Sequence, residues 1–340
     1  MTSSTLFLSQ NDLIAAGATD IDLIGSVLTQ AFRLHTEQDF TAPPSSFLKR
    51  SDCPHVADRI IGLSAHVGGE FNMEGIKWVA SSHVNPDHGL PRANAVIILN
   101  DPIHRLPVAI MEGGLISAMR TAVVQGLAAK YLARPDAQTV GLVGAGRIGA
   151  LTLWTLSQWF PHISDYRVFD VSAERARAFQ EHMERQGVNV SIVKSFQAAL
   201  APADIGITAT TESTPYVTAD EFKSGSLFMN VSLMDPQFDF VMAADKVIVD
   251  DWEQCVHSDR VLARMHREGL LDRASIHGEF GEVVCGSIAG REHPDERIFW
   301  NPFGLAIEDI AVASVLYERS LARPLGQSIQ LVDQEWDVLF

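Results

Sequence analysis

The stretch Thr139-Val-Gly-Leu-Val-Gly-Ala-Gly-Arg-Ile-Gly149 constrains the fold of this chain more than any other. An apolar run, Val140, Leu142 and Val143, leads into Gly144, Gly146 and Gly149 at G-x-G-x-x-G spacing, and a helix-compatible segment, 150–159, follows at once. Strand, tight turn and helix start in that order describe a dinucleotide site. Gly144 permits the turn, Gly146 lets the backbone approach a pyrophosphate, and Gly149 lets the helix pack closely on the strand. The pyrophosphate would rest on the amides of the helix start, Arg147 and Ile148 included, where the macrodipole favours negative charge.

A second apolar segment, Tyr166-Arg-Val-Phe-Asp170, ends in an acid about 20 positions further on, where a carboxylate would meet a ribose 2′-hydroxyl. Val171, Ser172 and Ala173 after it offer no cation for a 2′-phosphate, so the expected cofactor is NAD rather than NADP. The competing reading is a glycine-rich turn in an α/β protein that binds no nucleotide, and strand, spacing, helix and acid together weigh against it. Thr208, Thr210 and Thr211, and with them Thr121 and Ser232, are candidates to line the cofactor. The plainer role for threonines in such loops is helix capping.

A chain of 340 residues has room for two domains, and 46% hydrophobic with 20% charged residues describes a globular protein. No apolar run has the length of a membrane span and no secretory pattern opens the chain, so a cytoplasmic protein is expected. A net charge of −16 weighs against nucleic acid and against an anionic membrane surface. An anionic substrate must therefore meet a few placed cations. Cys53, Cys255 and Cys285 are far apart and odd in number, which fits reduced thiols, and the scattered histidines suggest no metal site.

Apolar spacing predicts a helix over 20–35, then short strands at 60–65, 75–80, 94–99 and 107–111, an antiparallel sheet by its turns. A long helix is expected over 118–132. Strands at 140–143, 166–170, 190–192, 205–209, 227–231 and 246–249 then alternate with helices, and a last helix covers 305–321. The fold class is α/β: a Rossmann doubly wound parallel sheet over 121–304, joined to an N-terminal antiparallel-sheet domain for substrate and dimerisation, built from 1–120 and 305–340.

Two cations lie in apolar or small-residue settings. Lys77 sits between Ile76 and Trp78, and Arg120 follows Ile116-Ser-Ala-Met. Arginine can clamp a carboxylate through two N–H groups, and lysine can act as a point charge or proton carrier. Lys77 could equally point outward from its strand. Asp235 follows a Rossmann strand directly, where a carboxylate could move a proton during oxidation of an amine, although an ordinary Asp-Pro turn has the same sequence. Asp250 and Asp251 read most simply as solvated turn residues.

Gly75-Ile-Lys77-Trp, Ser117-Ala-Met-Arg120-Thr121-Ala, the Gly144–Gly149 loop and Asp235 occur in the order seen in the ornithine cyclodeaminase and μ-crystallin family, which this chain resembles over nearly its whole length. The resemblance implies that Lys77 and Arg120 hold substrate carboxylate, that Asp235 is the acid–base, and that a homodimer forms through the N-terminal sheet. It also implies a further cation, Lys49 or Arg50. Ser64, His66 and Arg92 are candidate neighbours of the substrate.

A narrower likeness within the family rests on His55-Val-Ala-Asp-Arg-Ile-Ile, Ser64-Ala-His-Val-Gly-Gly, Lys246-Val-Ile-Val-Asp-Asp-Trp-Glu-Gln-Cys and Asn301-Pro-Phe-Gly-Leu-Ala-Ile-Glu-Asp-Ile. It implies oxidation, by NAD, of a three-carboxylate secondary amine joining glutamate to a diaminopropionate skeleton. Hydride would leave the glutamyl Cα and water would cleave the imine, releasing 2-oxoglutarate and 2,3-diaminopropionate, a precursor for a siderophore or an antibiotic. The competing readings are an ornithine cyclodeaminase-type enzyme, a ketimine or opine reductase, and a non-catalytic cofactor-binding protein. Lys77, Arg120 and Asp235 occurring together weigh against the last, since a pure binder needs no proton carrier.

Overall fold

The computed structural model describes residues 4–52, 55 and 58–331. Cys53, and Val56 and Ala57 of the segment beginning at His55, lie outside the described residues. The chain divides into two compact units: residues 1–120 with 306–340, and residues 121–305.

The first unit begins with β1 (Ser4–Leu8), α1 (Gln10–Ala16) and α2 (Ile21–Thr36). Asp20 caps α2 by accepting from the Leu23 amide, so the expected helix begins one residue later than its first polar position suggests. Short strands β2 (Phe40–Thr41) and β3 (Ser46–Leu48) precede the long strands β4 (Arg59–Val67), β5 (Met73–Ser81), β6 (Ala93–Asn100) and β7 (Pro107–Glu112). The helix α3 (Gly113–Leu132) contains the boundary between the units. It starts earlier than expected because the Glu112 carboxylate accepts from the amides of Gly114 and Leu115, which lets two glycines open a helix.

The sheet of the first unit runs β2-β4-β5-β6-β7-β1 and ends on a C-terminal strand, β16 (Gln327–Gln330), with β3 also on β4. It is antiparallel except where β1 lies parallel to β7, so the sheet is mixed rather than purely antiparallel. The edge strands β1 and β16 come from opposite ends of the chain and have no hairpin turn to announce them. The C-terminal helix that precedes β16 (residues Ala306–Ala322) packs on β4, β5 and β6. Its first turns are buried almost all round, and its small residues allow a close approach to Gly75. A Cβ on Gly75 would meet the Ile98 carbonyl oxygen at 2.6 Å and the Ile310 side chain at 2.9 Å. Strand alternation sends Lys77 and Leu63 to this helix-covered face and Ile76, Ser64 and Trp78 to the other. Trp78 and Val96 are exposed there.

The second unit is a wholly parallel sheet. Along the chain it comprises β8 (Thr139–Val143), α4 (Arg147–Trp159), β9 (Asp165–Phe169), α5 (Ala173–Arg185), β10 (Val190–Ile192), α6 (Phe196–Leu200), β11 (Ile205–Thr208) and β12 (Leu227–Asn230). Then follow α7 (Phe238–Met242), β13 (Lys246–Val249), α8 (Trp252–Val256), α9 (Val261–Arg267), β14 (Gly278–Glu279), α10 (Phe280–Val284) and β15 (Ile298–Asn301). The C-terminal helix of the first unit is accordingly α11. The strand order is β10-β9-β8-β11-β12-β15-β13-β14, so the chain reverses direction across the sheet at β8. β15 inserts between β12 and β13, a strand not expected from Ile298-Phe-Trp-Asn.

Stacked and tilted rings of Phe222, Phe228, Phe240 and Phe299 fill one side of this sheet. Trp300, fully buried, satisfies its indole N–H on the Gln125 side-chain oxygen. Asp250 is fully buried rather than solvated: its carboxylate accepts from the Gly304 and Asp251 amides, so it pins a loop. Asp251 caps α8. Among the described residues no helix is long and apolar enough to cross a membrane.

Gly75→Ala is expected to destabilise the protein by about 1–3 kcal/mol through overpacking between sheet and α11. Urea unfolding followed by tryptophan fluorescence measures it, and an unchanged midpoint would show that α11 yields easily.

Candidate active site

The glycine loop joins β8 to α4. Gly144 adopts φ +104°, and a Cβ there would stand 2.5 Å from the Ala209 carbonyl oxygen, so both conformation and space demand glycine. A Cβ on Gly149 would meet the Gly144 carbonyl oxygen at 2.8 Å, which shows how tightly α4 approaches the turn. Gly146 differs: it is extended and exposed, and a Cβ there would have no atom within 4 Å. Gly146 also occupies the N-cap position of α4 without supplying a side-chain cap. An uncapped helix start with open space before it fits a pyrophosphate. Arg147 is exposed and Ile148 half-buried in the same turn.

Asp170 stands just beyond β9. One carboxylate oxygen accepts from the Ala145 amide at 2.9 Å and the other from the Ser172 amide at 2.8 Å, which fixes it beside the loop. Arg175, in the first turn of α5, also pairs with Asp170 at 3.1 Å. Val171, Ser172 and Ala173 offer no cation, as expected, and Arg175 comes back to Asp170 through the first turn of α5. Thr208, at the end of β11, is buried, and its hydroxyl has no partner among the described residues. Thr121 is half-buried in α3.

Asp235, also in the second unit, is fully buried. Its Oδ1 accepts from the Thr210 hydroxyl at 2.6 Å and the Tyr216 hydroxyl at 2.8 Å, and its Oδ2 accepts from Ser232. Its backbone carbonyl receives the amides of Tyr216 and Val217, so the residue is an anchored carboxylate rather than a loose turn. Burial, and next the charge of Asp235, push the Tyr216 phenol up, so it remains a proton donor.

In the first unit, Lys77 is 3% exposed, which settles its inward direction. Its ammonium donates to Asp309 at 2.5 Å and Ser117 at 3.2 Å. Arg120 donates to Glu308 at 2.6 Å and to the other oxygen of Asp309 at 3.1 Å. Burial pushes Lys77 down to about 8, with the neighbouring Arg120 charge adding to the effect and Asp309 opposing it. Burial works against the Arg120 charge as well, but Asp309 and Glu308 outweigh it and hold the guanidinium above its usual value. Glu308 and Asp309 were missed at the level of sequence, although two adjacent acids inside Ala306-Ile-Glu-Asp-Ile-Ala-Val-Ala313 are a usable signal.

The remaining candidates do not join this cluster. Lys49 is exposed, and Arg50 is exposed and pairs with Asp52. Ser64 and His66 lie on the sheet face opposite Lys77, in a cavity with Thr41, Glu74, Asn100 and Arg105. Arg92 is exposed, its carbonyl accepting from the Ser82 amide. His55 and His83 are less scattered than they look: their rings stack at 4.0 Å, and His83 donates to Asp58.

A parallel nucleotide-type sheet carrying a glycine loop, with a mixed sheet in a separate unit, is an architecture shared with known enzymes. Residues 5–323 match the ornithine cyclodeaminase/mu-crystallin family, and the chain belongs to that family. It is 36% identical over 335 residues to N-((2S)-2-amino-2-carboxyethyl)-L-glutamate dehydrogenase of Staphylococcus aureus, covering 97% of this chain and 100% of that protein. Among solved structures, it resembles Thermococcus litoralis Δ1-pyrroline-2-carboxylate reductase in complex with NADH and L-proline. The TM-score is 0.87 at 29% identity, with 96% of this chain and 100% of that one covered. An archaeal alanine dehydrogenase dimer with bound NAD matches at TM-score 0.86 and 30% identity, covering 97% and 100%.

Two variants separate cofactor binding from stability. Gly146→Val is expected to leave the unfolding midpoint unchanged, because its side chain enters open space, while weakening NAD binding at least tenfold by titration calorimetry, about 1.4 kcal/mol. Asp309→Asn is expected to cost about 3–5 kcal/mol of stability in urea unfolding, because it strips a buried pair of cations of their shared partner.

Proposed function

We propose that this protein oxidatively cleaves N-(2-amino-2-carboxyethyl)-L-glutamate to 2-oxoglutarate and L-2,3-diaminopropionate. The chain is an NAD-dependent oxidoreductase acting on an amino acid, as its family relatives are. The 36% identity to the Staphylococcus aureus dehydrogenase, over all of that protein's length, is the observation that supports this particular substrate.

Bound NAD supplies the hydride acceptor for the glutamyl Cα. Everything else in the reaction falls to side chains. Lys77 and Arg120 would take substrate carboxylates, with Glu308 and Asp309 holding both cations in fixed directions while burial strengthens each contact. Asp235 would remove a proton from the water that attacks the imine carbon and return it to the departing amine. Gly144, Gly146, Arg147, Ile148 and Gly149 would carry the pyrophosphate, and Asp170 the ribose. Thr121, Thr208 and Thr210 remain candidates for the cofactor's surroundings, whereas Ser232 is taken up with the Asp235 carboxylate. Lys49 or Arg50 would supply a third cation for a substrate with three carboxylates.

The diaminopropionate would feed a siderophore or an antibiotic in the cytoplasm. A homodimer is part of the proposal: the exposed Trp78 and Val96, with Ile76 and Ile98 on the same sheet face, offer the apolar surface that a second copy would cover.

NADH absorbance with the secondary amine, and with L-ornithine in parallel, tests the reading. Lasting NADH with 2-oxoglutarate released is expected from the first; ammonia and proline from ornithine without net NADH would replace it with a cyclodeaminase. The Lys77 ammonium, depressed to about 8, should make KM rise as pH passes from 7 to 9. The charged form that binds carboxylate prevails below that value and is lost above it. A flat KM across this range would remove Lys77 from substrate binding.

A further inference from the structure

We propose that the Ser232 hydroxyl is a proton relay between Asp235 and the reacting centre, an inference that rests on the reading of Asp235 as the acid–base. Asp235 is 0% exposed, so a substrate or water molecule does not reach its carboxylate directly. Protons must pass through one of the three hydroxyls that cover it, and these are not equivalent.

Thr210 and Tyr216 both donate to Oδ1. The Thr210 oxygen in addition accepts from the Glu212 amide at 3.1 Å, which ties it to its own loop. Tyr216 packs its ring edge-on against Phe196 at 4.8 Å, and its backbone amide is held by the Asp235 carbonyl at 2.7 Å. These two groups orient the carboxylate. Among the described residues Ser232 alone donates to Oδ2, and it lies two residues beyond the carboxyl end of β12. Its amide is bound to the Thr208 carbonyl at 3.0 Å, which fixes its backbone, while its side chain is half-buried. Among the described residues nothing donates to the Ser232 oxygen. A hydroxyl that donates to a buried base and keeps its lone pairs uncommitted is built to accept one proton while passing on another.

The transfer balances without a further reactant. Hydride loss from the neutral secondary amine leaves a protonated imine; as water forms the C–O bond to its carbon and the C=N electrons return to nitrogen, the proton water loses goes to Ser232 Oγ, and the serine's own proton goes to Asp235 Oδ2. The proton then returns by the same path to the amine nitrogen, the C–N bond breaks, and the carbinolamine O–H proton leaves to water as the carbonyl forms.

Hydride transfer and product release are measured for the wild-type chain, Ser232→Ala, Ser232→Thr, Thr210→Val and Asp235→Asn, with NAD and the secondary amine, and L-alanine as a second amine. Ser232→Ala is expected to lose about a hundredfold in kcat. Its KM and its NADH affinity by fluorescence should stay within about twofold, a split that marks loss of a step rather than of binding. Ser232→Thr should recover most of the rate, and Thr210→Val should lose clearly less than Ser232→Ala. Equal losses in Thr210→Val and Ser232→Ala would make the hydroxyls interchangeable supports and overturn the relay. So would a Ser232→Ala variant with wild-type kcat beside an inactive Asp235→Asn. An active Asp235→Asn, or a wild-type chain that oxidises neither amine, would instead overturn the acid–base reading, and the relay with it.

Discussion

Four buried charges hold the first unit together. Its chain is interrupted by residues 121–305, so strands from the front and a helix from the back must meet across a long gap in sequence. Asp309 bridges that gap by accepting from Lys77 with one oxygen and Arg120 with the other, while Glu308 takes a second N–H of Arg120. Taking four charges out of water is expensive, and an all-apolar contact between α11 and the sheet would be at least as stable. The arrangement makes sense where the cations are wanted as cations. Balanced by carboxylates, Arg120 stays charged in its apolar setting and Lys77 does so below about pH 8, without the chain, at −16 overall, having to supply a positive field. Small residues on α11 and the absence of a side chain at Gly75 are what permit this proximity.

The second unit treats its carboxylates in the same economical way. Asp170 is tied by two amides and Arg175, Asp250 by two amides, and Asp235 by three hydroxyls, so each buried or half-buried acid has its lone pairs answered. The start of α4, like those of the short helices α7 and α9, has no side-chain cap. What marks α4 as a place for an anion is that its orphan amides follow a glycine with open space around it, at the end of the tightest turn of the loop.

Local pattern revealed the parallel unit well, because most of its strands are short apolar runs stopped by a turn, and Gly144 and Gly149 answer to local steric demands. β15 escaped: it is as short as β11, β12 and β13, but it enters the sheet out of chain order, between β12 and β13. β1 and β16 escaped for a different reason: their pairing joins the two ends of the chain, and no local feature encodes it. In the same way Lys77 and Arg120 were legible as unusual cations, whereas their acids lie 188 to 232 residues further on. Arg175 was hidden by helical geometry, which brings a residue five positions on back to Asp170. Asp250 looked solvated because a doublet of acids after a strand is common on surfaces; that it pins Gly304 depends on a loop from elsewhere in the chain.

The most direct test of the account follows a labelled atom. Substrate carrying deuterium at the glutamyl Cα, turned over with NAD and analysed by mass spectrometry, should yield deuterated NADH, unlabelled 2-oxoglutarate and unlabelled 2,3-diaminopropionate, with a slower hydride step than the protiated compound. Deuterium retained in an amino acid product, with no label in NADH, would contradict oxidation at the glutamyl carbon and with it the reaction proposed for this site.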